Sequence, residues 1–363
     1  MNRKQTGVIV AVAAILAGGI LYFTTFKDSS TKKTKQIQVD TEALSDTPRN
    51  TGPVSPISGI SCDNWNRRPL AIMQPADASA RPLAGLSEAD MVVEMPAVYG
   101  SITRLMGIYV CGNPEEVGSL RSSRHDYIHL AAGLDAVYVS FGASHFATDI
   151  LNKGVVDNIN GLNAGGRAGN QYFFRKEGDW VKSDDTAYAK FASLLQGAKD
   201  FGYRMETNFS GYPHQDDAPM DQRPNGGHLR VGYPGSFAAE YDYDKETNSF
   251  VRTWGGTKDS DRNNGQAIAP KNVVVMIAEG AQMEDQYANF QIGDPWFDDS
   301  DSGQAFYYLN GQQMTGTWKK DKSSADSKLL FLNNDGKEIV FVPGQIWVDI
   351  IDPGINHRWT PAQ

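Results

Sequence analysis

The sequence lacks the short motifs that mark several common classes of enzyme. It contains no Gly-x-Ser-x-Gly turn, no His-Glu-x-x-His helix and no Gly-rich phosphate loop ending in Lys-Ser or Lys-Thr. The formal net charge is −9, and no dense basic stripe follows the lysines near the N-terminus. Binding of nucleic acid through its phosphates is therefore disfavoured. No cofactor is expected, because no cofactor-binding pattern is present.

Cysteine is scarce as well, since only Cys62 and Cys111 occur. Without a Cys-x-x-Cys spacing, the pair does not indicate redox or zinc chemistry. Outside the cytoplasm a lone pair of cysteines more often forms a disulfide than remains as two thiols. The alternative is two small, inert apolar side chains. We expect the disulfide, which would join the start of the folded region to the end of an early strand.

One long apolar segment lies close to the N-terminus. Residues 7–26 carry no charge and are rich in Val, Ile, Ala and Leu. As a helix these residues would span about 30 Å, the thickness of a hydrocarbon core. A cleaved signal peptide usually has a shorter apolar region and an Ala-x-Ala cleavage site, which is missing here. With Arg3 and Lys4 favouring a cytoplasmic N-terminus, we expect a single-pass protein of the cell membrane whose C-terminal bulk is extracytoplasmic.

The rest of the chain divides by composition. Residues 1–26 form the predicted cytoplasmic stub and transmembrane anchor. Residues 27–58 are polar, contain three prolines and lack periodicity, which predicts a disordered spacer. We expect an α/β domain over residues 59–235 and a β-rich domain over residues 236–363.

The first of these domains shows alternating strand and helix patterns. Short β-rich runs lie at residues 70–73, 91–95 and 102–110. A helix is predicted near residues 124–134, capped by Ser122 or Ser123, and it leads directly into an apolar strand. A further helix is predicted at residues 186–198. This alternation favours helices layered on a sheet.

In the last third of the chain, strand patterns dominate. Asn310-Gly311 separates two such runs and is the strongest short hairpin signal available. Similar polar turns separate the other runs. The pattern predicts a meander of antiparallel strands, forming a separate unit from about residue 235.

Candidate site residues concentrate around one run of arginines. Arg121, Ser122 and Arg124 lie just before the predicted helix, and Glu94 and Arg104 lie in neighbouring strands. A helix N-terminus favours anions, so arginines there indicate a site for a carboxylate or phosphate. The alternative is structural, in which Arg121 or Arg124 pairs with Glu94 or Asp90 and joins the sheet to the helix.

Two histidines of the same helix have a spacing that can bind a metal. His125 and His129 are four residues apart, which places them on one helical face. No third ligand accompanies them at a suitable spacing, so we expect ordinary histidines and no metal site.

Several segments together carry a family resemblance. They include residues 68–73, 85–90, 102–104, 121–124 and 344–347. In these segments the chain resembles the YerB-like lipoprotein family, exported proteins of mostly Gram-positive bacteria. The resemblance implies an N-terminal three-layer α/β sandwich-like domain followed by a β-rich, antiparallel C-terminal domain. The lipidated cysteine typical of that family is absent, and residues 7–26 take its place.

Two functions are compatible with these features. The first is an envelope protein that binds or scaffolds, recognising an anionic cell-wall fragment or a partner protein through Glu94 and the arginines. The second is an envelope hydrolase or transferase acting on wall polymer, with Glu94 as the acid or base. A carboxylate among arginines has a depressed pKa, which suits an ion pair better than a general acid. Binding is therefore the favoured interpretation.

Overall fold

A computed structural model describes residues 53–98, 100–176, 183–283, 290–292, 301–321 and 323–362. The predicted anchor at residues 7–26 lies outside these ranges, as does most of the predicted spacer. None of the helices within the described ranges is both long enough and apolar enough to cross a bilayer. The described residues belong to one compact unit, and it is a mixed α/β structure rich in strands.

Three α-helices occur within the described ranges. They are α1 (His125–Gly133), α2 (His145–Asn152) and α3 (Phe191–Asp200). The strands that precede residue 235 are β1 (Leu70–Pro75), β2 (Met91–Pro96), β3 (Thr103–Tyr109), β4 (Glu116–Gly118), β5 (Val137–Ser140), β6 (Asn158–Asn160), β7 (Phe174–Arg175), β8 (Ala187–Lys190) and β9 (Gly227–Val231). The later strands are β10 (Ala239–Asp244), β11 (Ser249–Trp254), β12 (Thr257–Lys258), β13 (Asn272–Ile277), β14 (Gly280–Gln282), β15 (Phe290–Ile292), β16 (Asp301–Leu309), β17 (Gln312–Lys320), β18 (Leu330–Asn333), β19 (Ile346–Ile351) and β20 (His357–Pro361).

A ten-stranded mixed sheet forms the centre of the described structure. Its strand order is β18-β17-β16-β13-β19-β2-β3-β1-β5-β6. The pairing directions make β13, β19, β2, β1, β5 and β6 run the same way, with β3 antiparallel among them. The carboxyl ends of these six strands therefore meet at one edge of the sheet, where ligand sites of α/β sheets usually lie.

Both faces of this sheet are covered, which explains why its central strands are apolar throughout. Val93 and Val348 belong to the core packed against α1 and α2, on what we call the helix-covered face. Val92 and Trp347 belong to the core on the opposite side, which we call the sheet-covered face. There the antiparallel sheet β12-β11-β10-β9-β20 and α3 supply the opposing side chains.

The predicted antiparallel arrangement of the last third is wrong in one respect. Strand β19 pairs parallel with β13 on one side and parallel with β2 on the other. Its six residues are all buried, as expected for a strand enclosed between parallel neighbours. Strands from both sides of the predicted boundary at residue 235 therefore share one sheet. The hairpin at Asn310-Gly311 is confirmed, and both residues have the positive φ that its turn requires.

Two helix predictions need correction. The helix predicted near residues 124–134 forms as α1, but its N-cap is Arg124, whose side chain makes no capping bond. Ser123 is engaged elsewhere, because its hydroxyl accepts a hydrogen bond from Tyr138. Residues 187–190, predicted as helical, form β8 because they pair with β4 and β7. The helix begins only at Phe191.

The folded region begins earlier than predicted. Ser55, Ile57 and Ser58 are fully buried, so the described end of the predicted spacer packs into the fold. The Ser58 hydroxyl donates to the Asp90 carboxylate. The predicted disulfide between Cys62 and Cys111 is confirmed, with their Cα atoms 5.8 Å apart. The disulfide joins the beginning of the folded region to Cys111. Cys111 follows Val110, whose backbone N–H donates to the Asp90 carboxylate.

Candidate functional site

The sequence-predicted arginines come together at the carboxyl ends of β1 and β5. Arg104, near the start of β3, lies opposite Pro75, the last residue of β1. The backbone of Arg121 bridges the two parallel strands: its N–H donates to Met73 (3.0 Å), and its carbonyl accepts from Phe141 (3.0 Å). This pairing places the start of α1 at the edge of the sheet where the parallel strands end, which is where α/β sheets usually bind ligands.

Arg104, Arg121 and Arg124 form what we call the arginine cluster, with Asp77 between two of them. One oxygen of Asp77, Oδ2, lies 3.5 Å from Nη1 of Arg104 and 3.6 Å from Nη2 of Arg121. These separations are longer than the 2.7–2.9 Å typical of a charge-assisted hydrogen bond. One carboxylate oxygen thus serves two guanidinium groups, and neither at close range.

The surroundings of Arg104 disfavour its charged form. Burial, together with the positive charges of Arg124 and Arg121, lowers the pKa of Arg104 to about 10. The Nε atoms of Arg104 and Arg121 are buried and have no hydrogen-bond partner in the described part of the chain. Buried donors are normally paired. An anion placed among these groups would supply both the acceptor and the negative charge.

Other carboxylates face only one end of the cluster. Arg121 Nη2 donates to Asp185 at 2.8 Å, and Asp184 lies 3.9 Å from Nη1. Asp185 is buried, whereas the side chain of Asp184 is 78% exposed. These aspartates neutralise Arg121 from one side. The predicted site residue Ser122 lies beside the cluster in sequence, and its hydroxyl donates to the Phe141 carbonyl at 3.3 Å.

Glu94, the remaining predicted site residue, is not part of this cluster. Arg104 lies directly opposite Met95 in the strand register, and Met95 belongs to the core on the helix-covered face. Because side chains alternate between the two faces along a strand, Arg104 lies on the helix-covered face and Glu94 on the sheet-covered face. Glu94 is fully buried beneath the second sheet. Its partners are Arg252 Nη2 at 2.5 Å and the Thr103 hydroxyl at 2.8 Å. The structure therefore brings the arginines together and separates Glu94 from them.

The structural alternative predicted that Arg121 or Arg124 pairs with Glu94 or Asp90, but these carboxylates have other partners. Asp90 accepts hydrogen bonds from the backbone N–H groups of Val110 (2.7 Å) and Cys111 (2.9 Å). Arg121 pairs with Asp77 and Asp185, as described above. The ion pairs expected of Arg121 with Glu94 or Asp90 are thus replaced by other partners.

Glu94 belongs to a buried ion network that crosses between the two sheets. Arg252, on β11, bonds Glu94 through Nη2 and Asp259 through Nη1. Asp259 in turn accepts from Arg81 Nη1 at 2.5 Å. The Arg252 guanidinium also lies 4.3 Å from the ring centre of Trp347. The exposed fraction of the Arg252 and Glu94 side chains is 0%.

Asp349 completes the network on β19, opposite Glu94 of β2. Its two oxygens accept from the hydroxyls of Tyr241 (2.8 Å) and Tyr233 (3.3 Å). Burial, followed by the nearby charge of Glu94, raises the pKa of Asp349 to about 7. Burial alone would lower the pKa of Arg252, but the charges of Glu94 and its other acidic neighbours raise it well above its usual value.

Sequence reasoning missed Arg252, Asp259 and Asp349, although two of them leave a recognisable signal. In β11, Arg252 lies two residues from each of the core aromatics Phe250 and Trp254. Because side chains repeat every two residues along a strand, all three lie on the same face. Asp349 is a lone carboxylate in the otherwise apolar strand IWVDII. A charge in such a position requires a buried partner. The pattern indicates that a partner exists but does not identify it.

The two histidines of α1 are buried and neutral near pH 7. Burial, with the charges of Arg124 and His145, lowers the pKa of His125 to about 4. Burial, with the charges of Lys320 and His125, lowers the pKa of His129 to about 4 as well. Within the described ranges, no three side chains of the types that ligate metals gather in one place.

Comparison with known proteins identifies the family. The model of the N-terminal domain of DUF3048, a family of proteins of unknown function, matches residues 57–204. The model of the DUF3048 C-terminal domain matches residues 229–348. The chain belongs to the DUF3048 family. The arginine cluster lies in the DUF3048 N-terminal domain, whereas the buried ion network joins Glu94 of that domain to Arg252 of the C-terminal one.

Similarity to one DUF3048 relative extends over most of the chain. The chain is 29% identical over 304 residues to the protein named "Putative lipoprotein YerB" of Bacillus subtilis (strain 168), covering 82% of this chain and 86% of that protein. It also resembles the crystal structure of YerB protein from Bacillus subtilis, with a TM-score of 0.71 and 27% identity. That match covers 85% of this chain and 99% of the other. The family resemblance predicted from the sequence is confirmed.

Proposed function

We propose that this chain is a membrane-anchored, extracytoplasmic binding protein of the bacterial cell envelope. In this proposal, residues 7–26 hold it in the membrane and the arginine cluster binds an anionic group of a wall fragment or of an envelope protein. The Bacillus subtilis relative is named "Putative lipoprotein YerB", and that name supports an envelope location. The long apolar segment, without a cleavage site, supports anchoring by the chain itself.

The observation that carries the binding proposal is the incomplete pairing of Arg104 and Arg121. They share one Asp77 oxygen at 3.5 and 3.6 Å, and each retains a buried Nε that has no acceptor among the residues that the structure describes. An arginine fork matches a carboxylate or phosphate in two parallel hydrogen bonds. A ligand oxygen at this position would pair these donors and relieve the repulsion among the guanidinium groups.

The alternative of a hydrolase or transferase that uses Glu94 receives no comparable support. A general acid or base must come within hydrogen-bond reach of the substrate. Glu94 is fully buried, and both of its oxygens are engaged by Arg252 and Thr103. We therefore propose binding rather than catalysis, without a cofactor and without nucleic acid as a partner.

Isothermal titration of the full-length chain in mild detergent tests the binding proposal. Muropeptides with free carboxylates should bind saturably, and the same muropeptides with amidated carboxylates should bind at least about tenfold more weakly. Arg104→Gln should weaken binding by a similar factor. Arg230→Gln is the matched control, since Arg230 is exposed and pairs with Glu240 on the other sheet. Equal affinity for the two muropeptides, or an unchanged Arg104→Gln variant, would refute the proposal.

A second experiment tests the anchor separately. The full-length chain, expressed in a Gram-positive host, should sediment with membranes and be digested by protease added to intact protoplasts. A chain that begins after residue 26 behind a cleavable signal peptide should instead be released into the medium. Release of the full-length chain would contradict the proposed anchor and leave the ligand site untouched.

A further inference from the structure

A pocket separate from the arginine cluster lies between residues 78–82 and the β11–β12 hairpin. Its volume is about 380 Å³, within the range of small-molecule sites, about 300–1,000 Å³. The lining residues are Ala78, Arg81, Pro82, Ser236, Trp254, Gly255, Thr257, Lys258, Asp259 and Ser260. The pocket therefore combines small apolar surfaces with several hydroxyl groups and two cationic side chains.

Arg81, one of the residues that line this pocket, carries hydrogen-bond donors that lack partners in the described part of the chain. Its guanidinium stacks 4.0 Å from the ring centre of Trp254, and its Nη1 donates to Asp259. Stacking occupies the flat face of the guanidinium and leaves its in-plane N–H groups available. Nε and Nη2 of Arg81 and Nε1 of Trp254 are buried and lack an acceptor in the described part of the chain. Buried donors of this kind indicate a missing acceptor.

The charge of the pocket favours an anion. Asp259 is its acidic lining residue, and both oxygens are engaged, one by Arg81 and one by Arg252. Lys258 is exposed at the pocket. Within the described ranges, no carboxylate forms an ion pair with Lys258. A ligand carboxylate could therefore contact Arg81 and Lys258 without meeting an uncompensated negative charge.

We propose that this pocket binds a small acidic sugar, with the sugar's carboxylate held by Arg81 and Lys258. The hydroxyls of Ser236, Thr257 and Ser260 match the hydroxyl groups of a sugar ring, and the pocket volume suits a monosaccharide. The pocket's preference for an anion follows from its own donors. The choice of a cell-wall sugar as the probe rests on the proposed envelope function.

Ligand-observed NMR and titration calorimetry on the full-length chain test this site. N-acetylmuramic acid, which carries a lactyl carboxylate, should bind, whereas N-acetylglucosamine, which lacks it, should bind at least about tenfold more weakly. Lys258→Gln should weaken binding of N-acetylmuramic acid by about tenfold, and Lys258→Arg should largely retain it. Ser236→Trp, at an exposed lining position, should block the pocket without disturbing the core.

Variants outside the pocket distinguish this inference from the proposed function. Arg230→Gln, which alters an exposed ion pair with Glu240, should leave binding of N-acetylmuramic acid unchanged, because Arg230 does not line the pocket. If Lys258→Gln and Ser236→Trp bind as the unaltered chain does, or if N-acetylglucosamine binds equally well, the pocket proposal is refuted. Loss of binding in Arg104→Gln alone would assign the sugar to the arginine cluster and would also refute the pocket.

Discussion

Two groups of charged side chains lie on opposite faces of the same sheet, and they differ in how completely their charges are matched. In the buried ion network, each guanidinium nitrogen of Arg252 has a partner: Tyr241, Asp259 and Glu94. In the arginine cluster, Arg104 and Arg121 share one oxygen of Asp77, and their Nε atoms have no partner within the described ranges. The first group is enclosed, while the second lies at the edge where parallel strands end.

This difference separates structural charge from charge available to a ligand. Removing a fully paired member of a buried group, such as Arg252, leaves its partner charged and unsolvated, so such a residue holds the fold together. Removing one of several like charges that repel each other relieves repulsion. A cluster of that kind contributes little to folding and gains most from a bound anion. The two groups should therefore respond in opposite ways to the same substitution.

The largest effect is expected for Arg252→Met. This change leaves Glu94 buried without its cation and leaves Asp259 with Arg81 alone, so the free energy of unfolding should fall by about 3–5 kcal/mol. Urea denaturation followed by circular dichroism measures it. Arg230→Met, at an exposed ion pair with Glu240, is the matched control and should cost less than about 1 kcal/mol. A similar small loss for both variants would show that the buried network is not structural.

Asp349→Asn should alter how stability depends on pH. The pKa of Asp349 is raised to about 7 in the folded chain from an unfolded value of 3.8, so the folded state binds the proton more tightly. The contribution of this group is present below the unfolded pKa and is lost as the pH rises through about 7. Asparagine has no charge to bury. Relative to the unaltered chain, the variant should gain roughly 2 kcal/mol between pH 5 and pH 7.

Parallel urea titrations of the two chains at each pH provide this comparison. The difference between them removes the contribution of the buried histidines, whose lowered pKa values make stability rise with pH over the same range. A difference that stays constant with pH would mean that Asp349 remains ionised in the fold.

Arg104→Met should have a smaller effect on stability, within about 1 kcal/mol of the unaltered chain in either direction. The folded state holds Arg104 at a pKa of about 10, because burial and the neighbouring arginines disfavour its charge. Replacing it removes that cost together with the distant contact to Asp77. The same urea experiment applies, and a loss as large as that of Arg252→Met would make the arginine cluster a structural ion pair.

Local features of this fold could be predicted from the sequence, whereas distant pairings could not. Asn310-Gly311 was predicted as a hairpin turn, and it joins β16 to β17. Two cysteines allow only one disulfide. The position of β19 between β13 and β2 depends on contacts between segments far apart in the chain. No local sequence pattern specifies these contacts, because a buried apolar strand can pair with many other strands.

The same limit applies to the site. Arg121 and Arg124 were predicted to form part of one site because they lie at the start of a predicted helix, which is local information. Glu94 was grouped with them because its strand neighbours that of Arg104, yet a side-chain period of two puts Arg104 and Glu94 on opposite faces. The partner of Glu94 is Arg252, which comes from the other matched domain. Only the tertiary fold reveals that pair.

The smallest effect is expected at His125, which reports on the electrostatic field of the arginine cluster. Burial is the main cause of its low pKa of about 4, and the charge of Arg124 is the next. Arg124→Gln should therefore raise the pKa of His125 by a fraction of a unit, as measured by the pH dependence of its imidazole NMR signals. His214 is the matched control: its pKa is also about 4, but burial alone lowers it. A shift at His125 without one at His214 would confirm that the cluster is positive in solution. No shift at His125 would mean that the charge of the cluster is already neutralised and that no anion is needed there, and equal shifts at both histidines would mean that the substitution acts on the fold as a whole.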